Sequence, residues 1–526
     1  MTGRSSMRAF LWTSLLLVLM ASAPVVHASE SAAPEQAVAA KVRYYKVSIG
    51  GQQLAGVKDE RLPRADGGLE VKNSMRLKMT RDDSSAFAME VDTTEIYDAA
   101  RNFVSKTTVT REGGQNTTQT ETVKDGKFEY MHNSPGSSGT QTFELPKDFG
   151  NEYKLFPEML AEFEKEKKAV KRSFSAFSDQ QQQFVKASFE LTGVSQHRHG
   201  EQTLDVYDVA LTRGDGVNMT GKVDKDNMMV TGTIMGMMQL EWVDEPPFDF
   251  EGKGANIDST YDVACAIKDW RELESMSLTL TLKNDADETP LLADNHYHKV
   301  TRKDGRYELE LKPTRLPDTF RPLMLPMNAP DEVAPFLKAT PNCQSDHEDI
   351  KKQAKDIVGD KTNSLDAARA IVDWVGKHFN RVSAGSRGNA SALEALKSKD
   401  GDCSEHAALT VALARASGIP ARTVAGMEYV YHKNKAIVGF HAWAEVYVGQ
   451  WVAVDATIPE TGTSARYIFF GYTEPGHDGG ESKITRCMGG MDVEVTRYKC
   501  FGKDVVAPPI EQPAKKAANK KKATKK

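Results

Sequence analysis

The stretch 401–457 gathers the side chains that nucleophilic chemistry needs. It begins Gly401-Asp402-Cys403-Ser404-Glu405-His406 and runs at once into a helical pattern, with Leu409, Leu413 and Ala416 on one face. Gly418 and then Pro420 stop that helix. Cys403 therefore stands at a helix N-terminus, where unpaired N–H groups and the helix dipole favour an anion. Such a position is expected to lower a thiol pKa and favour the reactive thiolate. Two strands follow, 440–448 and 451–457, turning at Gly449-Gln450 and carrying His441 and Asp455. A thiol nucleophile needs a base, and the base needs an orienting group. Cys403, His441 and Asp455 supply all three.

Strand parity sets a condition on this trio. A plain two-residue turn at Gly449-Gln450 pairs Ala444 with Asp455 and sends His441 to the opposite face. Catalysis therefore requires an odd connection or a bulge near Gly449. His406, three residues beyond Cys403, is the competing base, although a base and a nucleophile on one helix turn align poorly. Asp402 and Glu405 read as caps of the helix rather than as chemistry. Trp443 is a candidate wall of the cleft, and Glu445, on the face of His441, a candidate supporting residue. The Cys403 backbone N–H is the expected first donor of an oxyanion hole.

Four blocks carry a family resemblance: Gly401-Asp402-Cys403-Ser404-Glu405-His406-Ala407; Gly418-Ile419-Pro420-Ala421-Arg422; His441-Ala442-Trp443-Ala444-Glu445-Val446; and Trp451-Val452-Ala453-Val454-Asp455. In order and spacing they resemble the transglutaminase-like superfamily of papain-like thiol enzymes. The close match spans about Ser391 to Thr457, within a domain expected from about Pro341 to Tyr472. The resemblance implies an α+β fold with the cysteine helix packed on an antiparallel sheet. It also implies Cys403 as nucleophile, His441 as base and Asp455 as its orienter. The reaction implied is a thioester formed from an amide of a peptide or protein, resolved by water or by an amine. That thiol chemistry needs no metal or other cofactor.

The elements around the site are mostly strands. From about Lys41 to Trp242, apolar and polar residues alternate, as in 44–49, 74–79 and 204–209, which predicts a large antiparallel sheet or open barrel with one wet face. One helix is expected to interrupt it over 157–174, with Pro157 at its start. Pro246-Pro247 and the glycines of 251–254 mark a linker. A second β region follows, with strict alternation at 276–282 and 306–311. Beyond a Pro-rich stretch at 317–341, residues 367–379 predict a helix with Ile371, Trp374, Val375 and Phe379 on one face. The expected organisation is a signal peptide (1–28), an N-terminal β-rich domain (29–250), a second β domain (255–330), a transglutaminase-like domain (331–505) and a Lys-rich tail (506–526).

Composition and chain ends bound the function class. The chain has 526 residues, 40% hydrophobic and 27% charged, which excludes collagen-like, largely disordered and small disulfide-scaffold classes. A net charge of −5 gives no electrostatic case for nucleic acid as a partner. Arg4 and Arg8, the apolar run 9–20 and Val26-His27-Ala28 read as an export signal cut near Ser29, with no transmembrane segment in the mature chain. The expected location is periplasmic or extracellular. The tail lysines are expected to solubilise the chain or to bind an anionic envelope surface.

Export favours disulfides, and five cysteines leave at least one unpaired within the chain. The expected pairs are Cys487–Cys500, around a turn at Gly489-Gly490, and Cys265–Cys343, leaving Cys403. Met228, Met229, Met235, Met237 and Met238 fit adaptable core better than a soft-metal site. His197-Arg198-His199 has no partner motif, and Asn116, Asn218 and Asn389 begin sequons. The competing function class is a catalytically inactive scaffold that keeps this fold.

Overall fold

The computed structural model describes residues 40–507 apart from 81–85, 113–114, 135–136, 180–181, 216, 251–254, 257–259, 284–289, 341, 380–390, 400, 474–479 and 488–489. The export signal, most of the lysine tail and the sequon at Asn389 lie outside the described residues.

The N-terminal region is one large sheet. Eight strands from Lys41–Ile49 to Ser137–Glu144 form an antiparallel meander, and six more from Val170–Ser178 to Met238–Val243 form a second. The two meanders join where Lys41–Ile49 pairs with Met238–Val243, Val47 opposite Leu240. The far ends of the order, Ser137–Glu144 and Val170–Ser178, are not neighbours, so the sheet stays open there. Alternation drives this fold: Tyr45, Val47, Val57, Met75, Leu77 and Val91 all point into one buried core. Polar groups are buried inside the sheet too, as compensated pairs such as Arg61 with Asp59 at 3.2 Å and Lys106 with Glu121 at 3.0 Å. The five methionines of 228–238 are all buried in this region.

The expected 157–174 helix is displaced. It runs over Glu152–Glu166, and Val170 already begins the next strand. Pro157 lies inside the helix, not at its first position; the cap is Asn151, whose side chain accepts from the Lys154 N–H. Lys167, in the left-handed region at φ 53°, ends it. The buried Phe156, Met159, Leu160 and Phe163 fix its inner face against the sheet.

A second sheet has the order His298–Lys303, Arg306–Leu311, Leu273–Leu282, Met491–Cys500, Lys503–Val506. Sheet membership thus departs from the expected break at 330: the C-terminal strands return to the second β unit. Leu278 pairs with Val495 and Leu280 with Val493, so both strands bury the same face.

This return also explains why the expected Cys487–Cys500 staple is absent. Cys487 ends the Gly480–Cys487 helix and Cys500 ends a ten-residue strand beginning at Met491. At roughly 3.3 Å per residue the strand alone separates its ends by about 30 Å, far beyond disulfide reach. The Cys500 thiol donates to the Asp269 and Glu272 carbonyls, both at 3.5 Å. Cys265 and Cys343 belong to different apolar clusters, and neither forms the expected bridge.

The third sheet has the order Glu460–Thr461, Trp451–Asp455, Lys435–Tyr447, Ala421–His432, Tyr467–Tyr472. Thr260–Asp262, just past the first sheet, adds to its Lys435–Tyr447 strand. Four helices cover one face: Glu348–Val358, Ser364–His378, Ala392–Ser398 and Cys403–Ala416. The last is central, with Leu409, Val411, Ala412, Leu413 and Ala414 all fully buried. No helix among the described residues is long and apolar enough to cross a membrane.

The pairing of residues 491–500 with 273–282 predicts energetic coupling between Leu280 and Val493. A double-mutant cycle to alanine, read by denaturant unfolding, should return an interaction of about 0.5 kcal/mol or more. Strict additivity would place the C-terminal strand elsewhere.

Candidate active site

Cys403 is the first residue of its helix. Asp402 caps it: the Asp402 carboxylate accepts from the Ser404 N–H at 2.8 Å, and Glu405 accepts the Asp402 N–H at 2.9 Å. This reciprocal cap ties down the turn that presents the thiol. Gly401 leaves room for it, since a Cβ there would lie 2.5 Å from Glu405 Cβ and 2.8 Å from the Phe379 ring.

The strand Lys435–Tyr447 pairs along its whole length with Ala421–His432. On its other side it meets Thr260–Asp262 across 437–439 and Trp451–Asp455 across 444–447. Among the described residues, 440–443 have no strand partner on that side. The Cys403 thiol occupies this gap, hydrogen-bonded to His441 and to the Ala442 backbone N–H.

The turn obeys the parity condition. Tyr447 pairs with Trp451 and Ala444 with Val454, so the connection has three residues, 448–450, closed by Val448 N–H donating to Gln450 O at 3.0 Å. Gly449 supplies the turn with φ 118°. The register puts Asp455 across from Trp443, on the face of His441. His441 Nε2 donates to Asp455 Oδ2 at 2.6 Å. Asp455 is then saturated: Tyr467 Oη donates to the same oxygen at 2.7 Å, while the Thr457 N–H at 2.8 Å and hydroxyl at 2.6 Å reach the other.

Electrostatics follow from burial and neighbours. Burial alone would raise the Asp455 carboxyl, but the His441 charge and the donors outweigh it and hold Asp455 well below the usual range. Burial likewise opposes charge on His441, yet Glu428, Asp455 and the thiol hydrogen bond hold it well above an ordinary histidine. The thiol itself departs from the expectation for a helix start. Burial, then the adjacent Asp402 carboxylate, push Cys403 up, against the downward pull of His441 and the Ala442 N–H. The cap that orders the helix also takes up first-turn N–H groups and adds a negative charge beside the sulfur.

His406 makes no hydrogen bond to the trio among the described residues and is held by other partners. Its Nδ1 meets the Asp402 carbonyl at 2.5 Å and its ring packs on Phe379 at 4.1 Å, with burial lowering its pKa. Trp443 lies beside His441, rings 6.2 Å apart and 19° from parallel, and donates to Tyr297 Oη at 2.8 Å. Glu445 is fully buried and serves other partners: Arg422 at 2.7 Å, His296 at 2.7 Å and Tyr297 Oη at 2.7 Å. His199 pairs with Asp244 at 2.8 Å and stacks on Trp242.

The sequence reading missed Glu428, Arg466 and Tyr467. Glu428 Oε1 lies 3.8 Å from His441 Nδ1, and Arg466 Nε lies 3.4 Å from its other oxygen. The signal was an acid within the run Val424–Val430, whose other residues are apolar, Gly or Tyr, and an Arg-Tyr pair at the start of another strand. Glu428, His441 and Asp455 are also the one trio among the described residues with metal-ligand atoms within 4.8 Å of one another. Arg466 already faces the Glu428 member of this trio.

Residues 351–456 match the family model of the Transglutaminase-like superfamily. An uncharacterized protein of Mycobacterium leprae is 32% identical over 97 residues, 17% of this chain and 34% of that protein. An uncharacterized protein of Haemophilus influenzae is 36% identical over 100 residues, 18% of this chain and 27% of that protein. The chain thus spans about a third or less of the curated relatives it matches. Among solved structures, the ethylmercury-bound periplasmic domain of TgpA from Pseudomonas aeruginosa superposes with a TM-score of 0.26 at 16% identity, covering 39% of this chain and 91% of that one. The C-terminal domain is transglutaminase-like, preceded by antiparallel β-rich sheets.

Two outcomes follow from this geometry. Asp402→Asn keeps a capping side chain but removes the charge that raises the thiol. The pH profile of Cys403 alkylation should therefore move down, by roughly one unit; an unchanged profile would remove Asp402 as a cause. Gly426 lies opposite His441, and a Cβ there would sit 2.1 Å from Ile468 O and 2.7 Å from the Trp443 ring. Gly426→Ala should cost about 1–3 kcal/mol by thermal unfolding, in line with other overpacking changes.

Proposed function

We propose that this chain is an exported thiol acyl-transfer enzyme acting on peptide or protein amides. The observation that carries the reading is a single hydrogen-bonded line. It runs from a thiol at a helix start, through an imidazole on the adjoining strand, to a saturated carboxylate on the next.

Each group then has a step. With its proton lost to solvent, Cys403 Sγ attacks the amide carbon, and the developing oxyanion meets the Cys403 N–H. His441 carries a proton on each nitrogen. It keeps Nε2–H on Asp455 and gives the Nδ1 proton to the leaving amine as the C–N bond breaks. A thioester on Cys403 remains. Neutral His441 next takes a proton from the attacking water or amine onto Nδ1 and keeps it as the thiolate leaves, which restores the starting pair. Water yields an acid; an amine yields a new amide. Asp455 stays ionised throughout and fixes the imidazole's orientation.

Export follows from the basic start, apolar run and small residues before Ser29, and the lysines of the tail suit an anionic envelope surface. A second reading, the domain as an inactive scaffold, draws on one observation: the thiol is pushed up rather than activated before substrate binds.

Turnover of a glutamine- and asparagine-containing peptide library, read by mass spectrometry with and without a primary amine, separates the two. Cys403→Ala should abolish product, and Asp455→Asn should lower kcat/KM by roughly a hundredfold or more. Product formed equally by Cys403→Ala would end the proposal.

A further inference from the structure

His441 has a carboxylate on each side. Asp455 holds Nε2 in a 2.6 Å hydrogen bond, and Glu428 stands 3.8 Å from Nδ1, the nitrogen left for the thiol and for the leaving amine. That distance is too long for a hydrogen bond and short enough for strong attraction between opposite charges. Register places Glu428 and His441 as diagonal neighbours on one face of adjacent strands: Gly426 pairs with His441, and Gly439 pairs with Glu428. Behind Glu428 stands the fully buried Arg466, 3.4 Å from its second oxygen. Arg466 is shared with the Glu460 carboxylate, Tyr467 Oη and Ser464 Oγ. It therefore holds Glu428 in place while being shared with these other partners.

We propose that Glu428 is a positioning residue: it keeps His441 doubly protonated from the Nδ1 side, so that the thiol–imidazole pair loses its first proton from sulfur. This rests on the acyl-transfer reading. The charged and titratable groups facing His441 are Asp455 from its neighbouring strand, Glu428 from the other neighbour, Cys403 with Asp402 and His406 from the helix, and Tyr467 with Arg466 behind. Glu428 and Asp455 are the two that act on the imidazole most strongly in favour of its charge. Both oppose the burial that works against that charge. Asp455 fixes the ring's direction. Glu428, lacking a hydrogen bond to it, leaves Nδ1 able to turn its proton toward sulfur or a leaving amine.

The test is a His441 titration by NMR of ring-labelled full-length Cys403→Ala, which needs neither turnover nor the thiol. Adding Glu428→Gln should lower the His441 midpoint by roughly one pH unit or more. Glu428→Asp should restore part of it, and serves as the folded control should the glutamine variant misfold. In the chain with Cys403 intact, Glu428→Gln should move the alkaline limb of kcat/KM downward while KM stays near that of the parent. An unmoved His441 midpoint would overturn the inference even in an active enzyme. A shifted midpoint in a chain with no turnover would leave Glu428's role standing and fault the acyl-transfer reading instead.

Discussion

A buried carboxylate paired with a buried imidazole is stable only when the lone pairs and protons it hides are matched. Asp455 meets that requirement with four donors, and much of the C-terminal architecture exists to supply them. Thr457 comes from the turn directly after the strand. Tyr467 comes from the strand beyond it and is itself held by Glu460 and Arg466. Arg466 lies over the Trp270 ring at 4.9 Å, while Ser464 and Ala465 hydrogen-bond to the Trp270 and Leu273 carbonyls. One charge on the third sheet is thereby tied to the start of the second sheet.

A parallel arrangement supports the next part of the His441 strand. Glu445 binds Arg422, whose guanidinium lies 3.8 Å from both Trp451 and Tyr472. Its other oxygen takes Tyr297 and His296, from the segment leading into the second sheet. Tyr297 in turn accepts from Trp443, which lies beside His441. The segment carrying His296 and Tyr297 is thus a buttress on the face of the third sheet that bears His441. Thr260–Asp262 and Trp451–Asp455 bracket the four residues where the thiol enters.

Much of this was legible in the residues. Cys403 before a helical pattern, and His441 and Asp455 on successive strands, follow from local periodicity. The three-residue connection at 448–450 follows from parity once the two side chains must share a face. The rest depends on distant partners. Pro157 looked like a helix start because Pro favours that position, yet the Asn151 cap wins by satisfying a real N–H. Cys487 and Cys500 looked like a staple because sequence spacing says nothing about an extended strand between them. The thiol's upward shift was hidden because the capping acid that makes the helix start recognisable is also the charge that opposes the thiolate. Glu428 and Arg466 carry no local signal beyond being charged in apolar strands, and their meaning appears only when three strands are set side by side.

The most direct test of the central claim is to trap the acyl intermediate. Brief incubation of the full chain with an activated acyl ester, followed by acid quench and peptide-resolved mass spectrometry, reports where the acyl group sits. The account predicts a single acyl group on Cys403, absent in Cys403→Ala and formed much more slowly in His441→Ala. Acylation spread over lysines and other cysteines, or formed at Cys403 at the same rate without His441, would contradict it.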